Sequence, residues 1–246
     1  MNHATRSALA IIAAALLLWE AAVRLTHTPV YILPAPTRIL ATLAENPALY
    51  ARAAAVTLGE ALGGLLLGTL AGAGAAALLS LWPRLESGVM TLAILLKSTP
   101  LVAIAPLLTI WLGFGVLPKV LITALLTFFP VLVNALSGLQ SARAPLVETL
   151  RSWHASRGEI FWHVRVPGAA PYLFAALKVT GPLSLIGAVV AEWTGASGGL
   201  GRTMWLAYTN LNLPYLFAAV FILAAAGMTF YGVIVYAQKR IVFWAR

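Results

Sequence analysis

Long apolar runs separated by short polar stretches set the pattern of this chain. The runs fill residues 7–23, 53–81, 87–111, 116–139, 169–190 and 215–237. A helix needs about 20 apolar residues to cross a bilayer. In lipid the backbone must satisfy its own hydrogen bonds, which leaves helices or closed barrels. The runs are too long for barrel strands, so the pattern predicts an all-α, polytopic membrane protein with six transmembrane helices. In the second run Gly64, Gly68 and Gly72 recur every four residues and share one helix face. Small residues at that spacing predict close helix packing. The third run is broken by Pro100 and Pro106, which free backbone carbonyls and predict a helix that lines a path. The fourth run carries Pro130 and Asn134. The amide of Asn134 is expected to bond to a neighbouring helix or to substrate.

The stretches between the runs are uneven. Residues 7–23 resemble a signal peptide, but Trp19 and Glu20 sit where small residues should precede cleavage, which favours a retained anchor. Leu33-Pro34-Ala35-Pro36 predicts extended chain. Residues 37–44 then predict a short interfacial helix with Ile39, Leu40 and Leu43 on one face. Residues 1–52 are accordingly an N-terminal anchor helix plus a periplasmic amphipathic segment. Residues 53–246 are a five-helix core. The longest polar stretch, 147–171, lies inside this core and holds Glu148, Arg151, His154, Arg157, Glu159, His163 and Arg165. Pro145 suits a first helical turn, and Pro167 predicts the end of a helix over residues 160–166. Two short helices with a bend at residues 154–156 follow.

Composition narrows the chemistry. The chain is 61% hydrophobic and 9% charged, which excludes a soluble domain. Its net charge of +9 is read for topology and not for nucleic acid. With the N-terminus inside, Arg6, Arg84, Arg143, Arg151, Arg157, Arg165, Lys239, Arg240 and Arg246 fall in the cytoplasm. Arg24, Arg38, Arg52, Lys119 and Arg202 fall outside or at the outer edge, a smaller set. That balance places both termini and the polar stretch on the cytoplasmic side. Cys and Asp are both missing, so no thiolate, disulfide or Asp-based metal site is expected. Lys97 lies at membrane depth, where a charge marks either a functional site or a snorkelling side chain. Glu60 is expected to pair with Arg52 or to reach the interface.

The polar stretch resembles the cytoplasmic signature of the permease subunits of binding-protein-dependent ABC importers. That signature is Glu-Ala-Ala, three residues, Gly, nine residues, then Ile-x-Leu-Pro. Glu148 stands at the Glu, His154 at the Gly, and Val164-Arg165-Val166-Pro167 at the close. Ala155-Ser156-Arg157, Phe128-Phe129-Pro130 and the Ala191-Glu192 pair before Gly199-Leu200-Gly201 are also similar, as is the Leu33-Pro34 region onward. The likeness points to the sulfonate, taurine, nitrate and thiamine-precursor pyrimidine branch. Residues 193–213 look nearest to pyrimidine permeases. The resemblance implies an ABC type I importer permease fold in the bacterial inner membrane, acting as a homodimer. It implies cytoplasmic ABC ATPase subunits gripping loop 140–168 and an external, periplasmic or lipid-anchored, substrate-binding protein. ATP would be used by the partner, with no cofactor in this chain. The coupling residues it implies are Glu148, Leu150, Trp153, His154, Ala155, Phe161 and Pro167. Glu148 is read either as a first-turn carboxylate that the helix dipole favours or as the partner of an ATPase arginine. Phe161 is read either as partner contact or as packing onto the chain's own helices. Translocation-path candidates are Lys97, Ser98, Asn134 and Glu192.

Two other readings stand beside this one. Gly195-Ala196-Ser197-Gly198-Gly199 fits the nucleophile-elbow pattern of a serine protease. A base within hydrogen-bond reach is then required, yet His3, His154 and His163 fall on the opposite side from Ser197, and His27 follows the first span. A secondary transporter would need buried carboxylates for ion coupling, and only Glu60 and Glu192 are available. It would also have no use for a large cytoplasmic loop. No Gly-x₄-Gly-Lys-Ser/Thr motif is present, so the chain holds no P-loop and is expected not to be an enzyme.

Overall fold

The computed structural model describes residues 3–142 and 144–245; Arg143 and Arg246, expected on the cytoplasmic side, lie outside the described residues. The described residues are helical almost throughout and include no strand. In order the helices are α1 (His3–Leu25), α2 (Pro36–Glu45), α3 (Pro47–Leu81), α4 (Glu86–Ser98), α5 (Leu101–Leu112) and α6 (Val116–Gln140). They continue with α7 (Ala144–Ser152), α8 (Arg157–Ile160), α9 (Val166–Glu192), α10 (Leu200–Thr209) and α11 (Leu213–Ile241). Among the described residues four helical stretches are long and apolar enough to span a membrane: α3, α6, Arg157–Glu192 and α11. α1 runs for 23 residues where the first span was expected.

The third expected span is not one kinked helix. Pro83–Ser98 and Leu101–Leu112 meet at a bend of 93°. The cause is local. A residue before proline is pushed out of the helical region, and Thr99 sits at φ −77°, ψ 129°. Pro100 is extended as well, at ψ 112°. By contrast Pro106, Pro130, Pro171 and Pro182 stay inside α5, α6 and α9.

α3, α6 and α9 form the centre. The glycine face of α3 lies against α6 so closely that a Cβ at Gly64 would stand 2.9 Å from the Val120 carbonyl oxygen. One at Gly68 would stand 2.6 Å from that of Ala124, and one at Gly72 2.8 Å from that of Phe128. Gly138 on α6 meets α9 in the same way, with a Cβ there 2.8 Å from the Ala169 Cα. The expected packing role of the stripe is what the geometry shows. α3 has 35 residues and is about 50 Å long, so both of its ends project beyond a hydrocarbon core of about 30 Å.

One apolar cluster joins Ala76, Leu79, Ala93, Leu132, Leu136, Leu139, Phe161 and Ala169 at the end carrying α7 and α8. A second joins Ile39, Tyr50, Ala53, Leu200, Ala218 and Ala219 at the end carrying α10. α2 belongs to this second cluster through Ile39, which is fully buried, while Leu40 is exposed. Leu40 is thus off the face expected for it, being about 100° round the helix from Ile39. α1 attaches by Trp19, whose ring lies 5.6 Å from Phe217 and 6.0 Å from Phe221. Glu20 accepts from the Thr37 amide at 3.0 Å in the first turn of α2 and pairs with Arg24 at 2.6 Å.

Glu60 neither pairs with Arg52 nor reaches an interface. It is 2% exposed, and its charged neighbours are Glu192 and Lys119. The face shared by residues 53, 57, 60 and 64 turns inward, whereas Arg52 is exposed.

Gly68→Val should lower stability by roughly 1–3 kcal/mol through overpacking. Gly74→Ala, where a Cβ meets nothing within 4 Å, should stay within about 0.5 kcal/mol. Thermal unfolding of the two detergent-purified variants checks the pair.

Candidate functional site

The polar loop is built by three local devices. α7 ends in a Schellman motif: the His154 amide donates to the Arg151 carbonyl at 2.9 Å and the Ala155 amide to the Leu150 carbonyl at 3.0 Å. The motif needs a left-handed residue, and His154 takes it with φ 63°. The His at the usual Gly position therefore keeps the left-handed turn. Histidine enters that region more readily than most non-glycine residues. Next, Ser156 and Glu159 form a reciprocal capping box, with bonds of 3.2 Å and 2.7 Å, and start α8. These two devices make the bend expected at residues 154–156. The third device differs from expectation. Pro167 does not end a helix: residues 161–165 form a π-turn and the chain runs on through Pro167 into α9. Proline lacks an N–H and its ring crowds the carbonyl four residues back. The wider π-turn loosens that spacing ahead of Pro167.

The two limbs of the loop are held differently. Glu148 on α7 is exposed, Leu150 is half-buried, Trp153 just past the helix end is 75% exposed and Ala155 beyond the turn is half-buried. Val147 turns inward. On the return limb Phe161 is 7% exposed and sits in the cluster with Leu79, Leu136 and Ala169. Of the two readings of Phe161, packing onto the chain's own helices is the one observed. Pro167 lies in the first turn of α9. Arg165 reaches α3, donating from Nη1 to the Ser80 carbonyl at 3.2 Å and to Ser80 Oγ at 2.9 Å.

At the far end of α9, Glu192 is fully buried. Its carboxylate faces the first turn of α10, accepting from the Gly201 amide and, at 3.3 Å, from the Arg202 amide. Thr57 Oγ1 on α3 donates to Glu192 Oε1 at 2.6 Å and accepts from the Leu200 amide at 2.8 Å. A helix N-terminus presents unpaired amides and favours a negative charge. Here that charge ties α3, α9 and α10 together. Gly199 at φ 102° and Gly201 leave room for the carboxylate, since a Cβ on either would collide with it. α10 itself lies within a stretch read from sequence as loop. The Glu192 and Gly199-Leu200-Gly201 spacing was its signal.

The other path candidates lie elsewhere. Lys97 and Ser98 are exposed in the last turn of α4, beside the 93° bend. Lys97 Nζ stands 4.7 Å from the centre of the Phe129 ring. Asn134 Nδ2 donates to the Pro130 carbonyl at 2.8 Å, so it bonds within its own helix and not to a neighbour. Lys97 thus meets the middle of α6 and Asn134 lies further along the same helix, while Ser98 has no bond among the described residues that brings it to either. Ser197 is exposed, and among the described residues no histidine bonds to it. His163 pairs with the Glu159 carbonyl at 3.0 Å, separated from Ser197 by the length of α9, about 40 Å.

Glu192→Ala should leave the buried Gly201 amide and the part-buried Arg202 amide without their acceptor, at about 1–3 kcal/mol for a buried group, while Thr57 can turn to the Ala53 carbonyl. Limited proteolysis should then cut first near α10.

Known proteins give a consistent comparison. Residues 64–243 match the family described as the binding-protein-dependent transport system inner membrane component. A formylaminopyrimidine transport permease, ThiX of Halalkalibacterium halodurans, is 32% identical over 94% of this chain and 92% of its own length. A riboflavin transport system permease, RibX of Chloroflexus aurantiacus, is 31% identical over 93% and 86%. The putative aliphatic sulfonates permease SsuC of Bacillus subtilis is 29% identical over 85% and 77%. In fold, the chain is similar to the inward-facing MetNI methionine ABC transporter, with a TM-score of 0.65, 20% identity, and 78% and 93% of the two chains covered. An amino acid ABC transporter gives a TM-score of 0.67 at 18% identity, over 82% and 98%. Membrane-depth helices, the polar loop and these matches together assign the chain: it belongs to the binding-protein-dependent transport system inner membrane components, as an ABC importer permease subunit for small solutes.

Proposed function

We propose that the chain forms the translocation path of an ATP-driven importer, with α7 as the element that seats in a cytoplasmic ABC ATPase. The observation that carries this reading is the exposure of Glu148 on α7 and of Trp153 just past its end, neither bonded to a spanning helix among the described residues, with Leu150 half-covered. A docking helix has to leave its charge and its aromatic available, and interface cores are rich in Trp. The left-handed turn at His154 and the half-buried Ala155 hold that helix at a fixed angle. Pro167 and Phe161 hold the return limb to the permease body. Glu148 pairs with a basic residue of the ATPase.

Two copies of the chain make one path, since closed C₂ assembly is the default for a single subunit type. The exposed apolar faces of α4 and α5 support this. Lys97 and Ser98 at the bend, with Asn134 behind them, line the path. Glu192 sets the outer loop that receives solute from an external binding protein. The anchor of residues 1–52 adds a sixth span to the five-helix core of 53–246. Both termini are cytoplasmic, in the bacterial inner membrane. ATP is bound by the partner alone. The solute is a small pyrimidine of the thiamine-precursor type; relatives named for formylaminopyrimidine and riboflavin, both planar nitrogen heterocycles, support it over sulfonate, taurine or nitrate.

A tagged chain purified from membranes in mild detergent should bring down an ABC ATPase. Glu148→Ala should retain it at least about thirtyfold less well, in line with the loss of a buried interfacial charge pair. Equal retention by the variant would remove Glu148 from the interface. No ATPase with the wild type would overturn the importer reading.

A further inference from the structure

The Arg165–Ser80 contact joins the return limb of the loop to α3. Ser80 is in the last turn of α3, where carbonyls have no partner within the helix. It is buried, at 7% exposure. A guanidinium there bonds a free carbonyl, meets the negative end of the helix and makes a charge-assisted bond. The one nitrogen also takes the Ser80 hydroxyl. Arg165 is the last residue of the π-turn, and Phe161, its first, is buried in the cluster that joins residues of α3, α4, α6 and α9. Phe161 thus holds the return limb to the body, and Arg165 ties it to the end of α3. A cavity of about 330 Å³ lies between the limbs, with Leu79, Ser80, Val147, Glu148, Arg151 and Arg165 in its wall. α7 forms one wall of this space, with Val147 turned inward, while Arg165 ties the π-turn to α3. α3 in turn carries the glycine face locked to α6 and, one membrane away, the Thr57–Glu192 contact.

We propose that Arg165 is a positioning residue for transport: it makes the end of α3 move with the loop, so that ATPase closure reaches the membrane helices. This rests on the reading of α7 as the ATPase seat. A loop tied to the body only through its flanking peptide could swing without moving α3. A loop clamped to the α3 carbonyl end carries α3, and with it the closely packed α6. Arg165 touches neither nucleotide nor solute; its effect is on coupling.

The test compares Arg165→Met, Arg165→Lys and Ser80→Ala in the complete transporter reconstituted in liposomes with its ATPase and binding protein. Three quantities are read: ATPase retained on the tagged permease, ATP hydrolysed, and labelled aminopyrimidine taken up per ATP. Arg165→Met should retain the ATPase and hydrolyse ATP, with uptake per ATP falling about tenfold to a hundredfold, the range expected for loss of a hydrogen bond to a charged group. Arg165→Lys, which keeps a charged donor for the carbonyl, should recover most of the ratio. Ser80→Ala, which keeps the carbonyl and loses the hydroxyl, should fall less than Arg165→Met. An unchanged ratio in Arg165→Met overturns the proposal. So does loss of the ATPase from that variant, which would make Arg165 a docking residue, and so does a Lys variant no better than Met. If Arg165→Met does not assemble, Ser80→Ala decides: a wild-type ratio overturns the proposal and a lowered one supports it. A wild-type permease that holds no ATPase removes the importer reading, and the proposal with it, before any variant is compared.

Discussion

Helices in lipid gain nothing by hiding apolar side chains from one another, so they hold together only as closely as their surfaces can approach. The contact between α3 and α6 is where this chain meets that demand. Carbonyl oxygens of α6 stand less than 3 Å from where a Cβ would sit on Gly64, Gly68 and Gly72. No larger residue fits without moving a helix. α9 joins the same centre through Gly138, and the remaining helices arrange themselves around this trio. α4 and α5, by contrast, lean away at their bend and leave Leu92, Leu95, Val102 and Ile110 exposed.

The two ends of this centre are fastened by polar groups of opposite sign. At one end the Arg165 guanidinium takes a carbonyl at the C-terminal end of α3. At the other the Glu192 carboxylate takes the amides at the N-terminal end of α10, with Thr57 of α3 bridging the two. Each uses the unpaired backbone groups of a helix end, with the charge the helix dipole favours. α3 is common to both. Thr57 and Ser80 stand about 35 Å apart along α3, so one helix carries both fastenings.

Much of the fold was legible in the chain. Hydrophobic runs gave four spans, and a helix occupies the expected place of the anchor. The glycine spacing gave the α3–α6 contact. Motif spacing placed the loop and its turn at His154, even with histidine where a glycine is usual, because the Schellman geometry is set by the backbone. What was not legible depended on partners distant in sequence. Glu192 reads as a lone acid near the membrane, and its role becomes visible only once Thr57 and Gly201 are brought beside it. Glu60 looked able to reach Arg52 because linear distance conceals which helix face turns inward. The continuation of α9 through Pro167 needed a π-turn, which leaves no residue signature of its own. Ser156 and Glu159 did carry one, the capping box at three-residue spacing, and it marks the start of α8.

On the proposed reading α7 faces the cytoplasm and is covered by an ATPase, with α10 on the opposite side of the membrane. The chain has no cysteine, so single cysteines report position without background. The most direct measurement is labelling of Trp153→Cys and Ser197→Cys by a membrane-impermeant maleimide, in right-side-out and inside-out vesicles, with and without the ATPase. Position 197 should label only from outside. Position 153 should label only from inside, and about tenfold more slowly once an ATPase covers it. Labelling of both positions from one side, or a rate at 153 that the ATPase leaves unchanged, would contradict the claim.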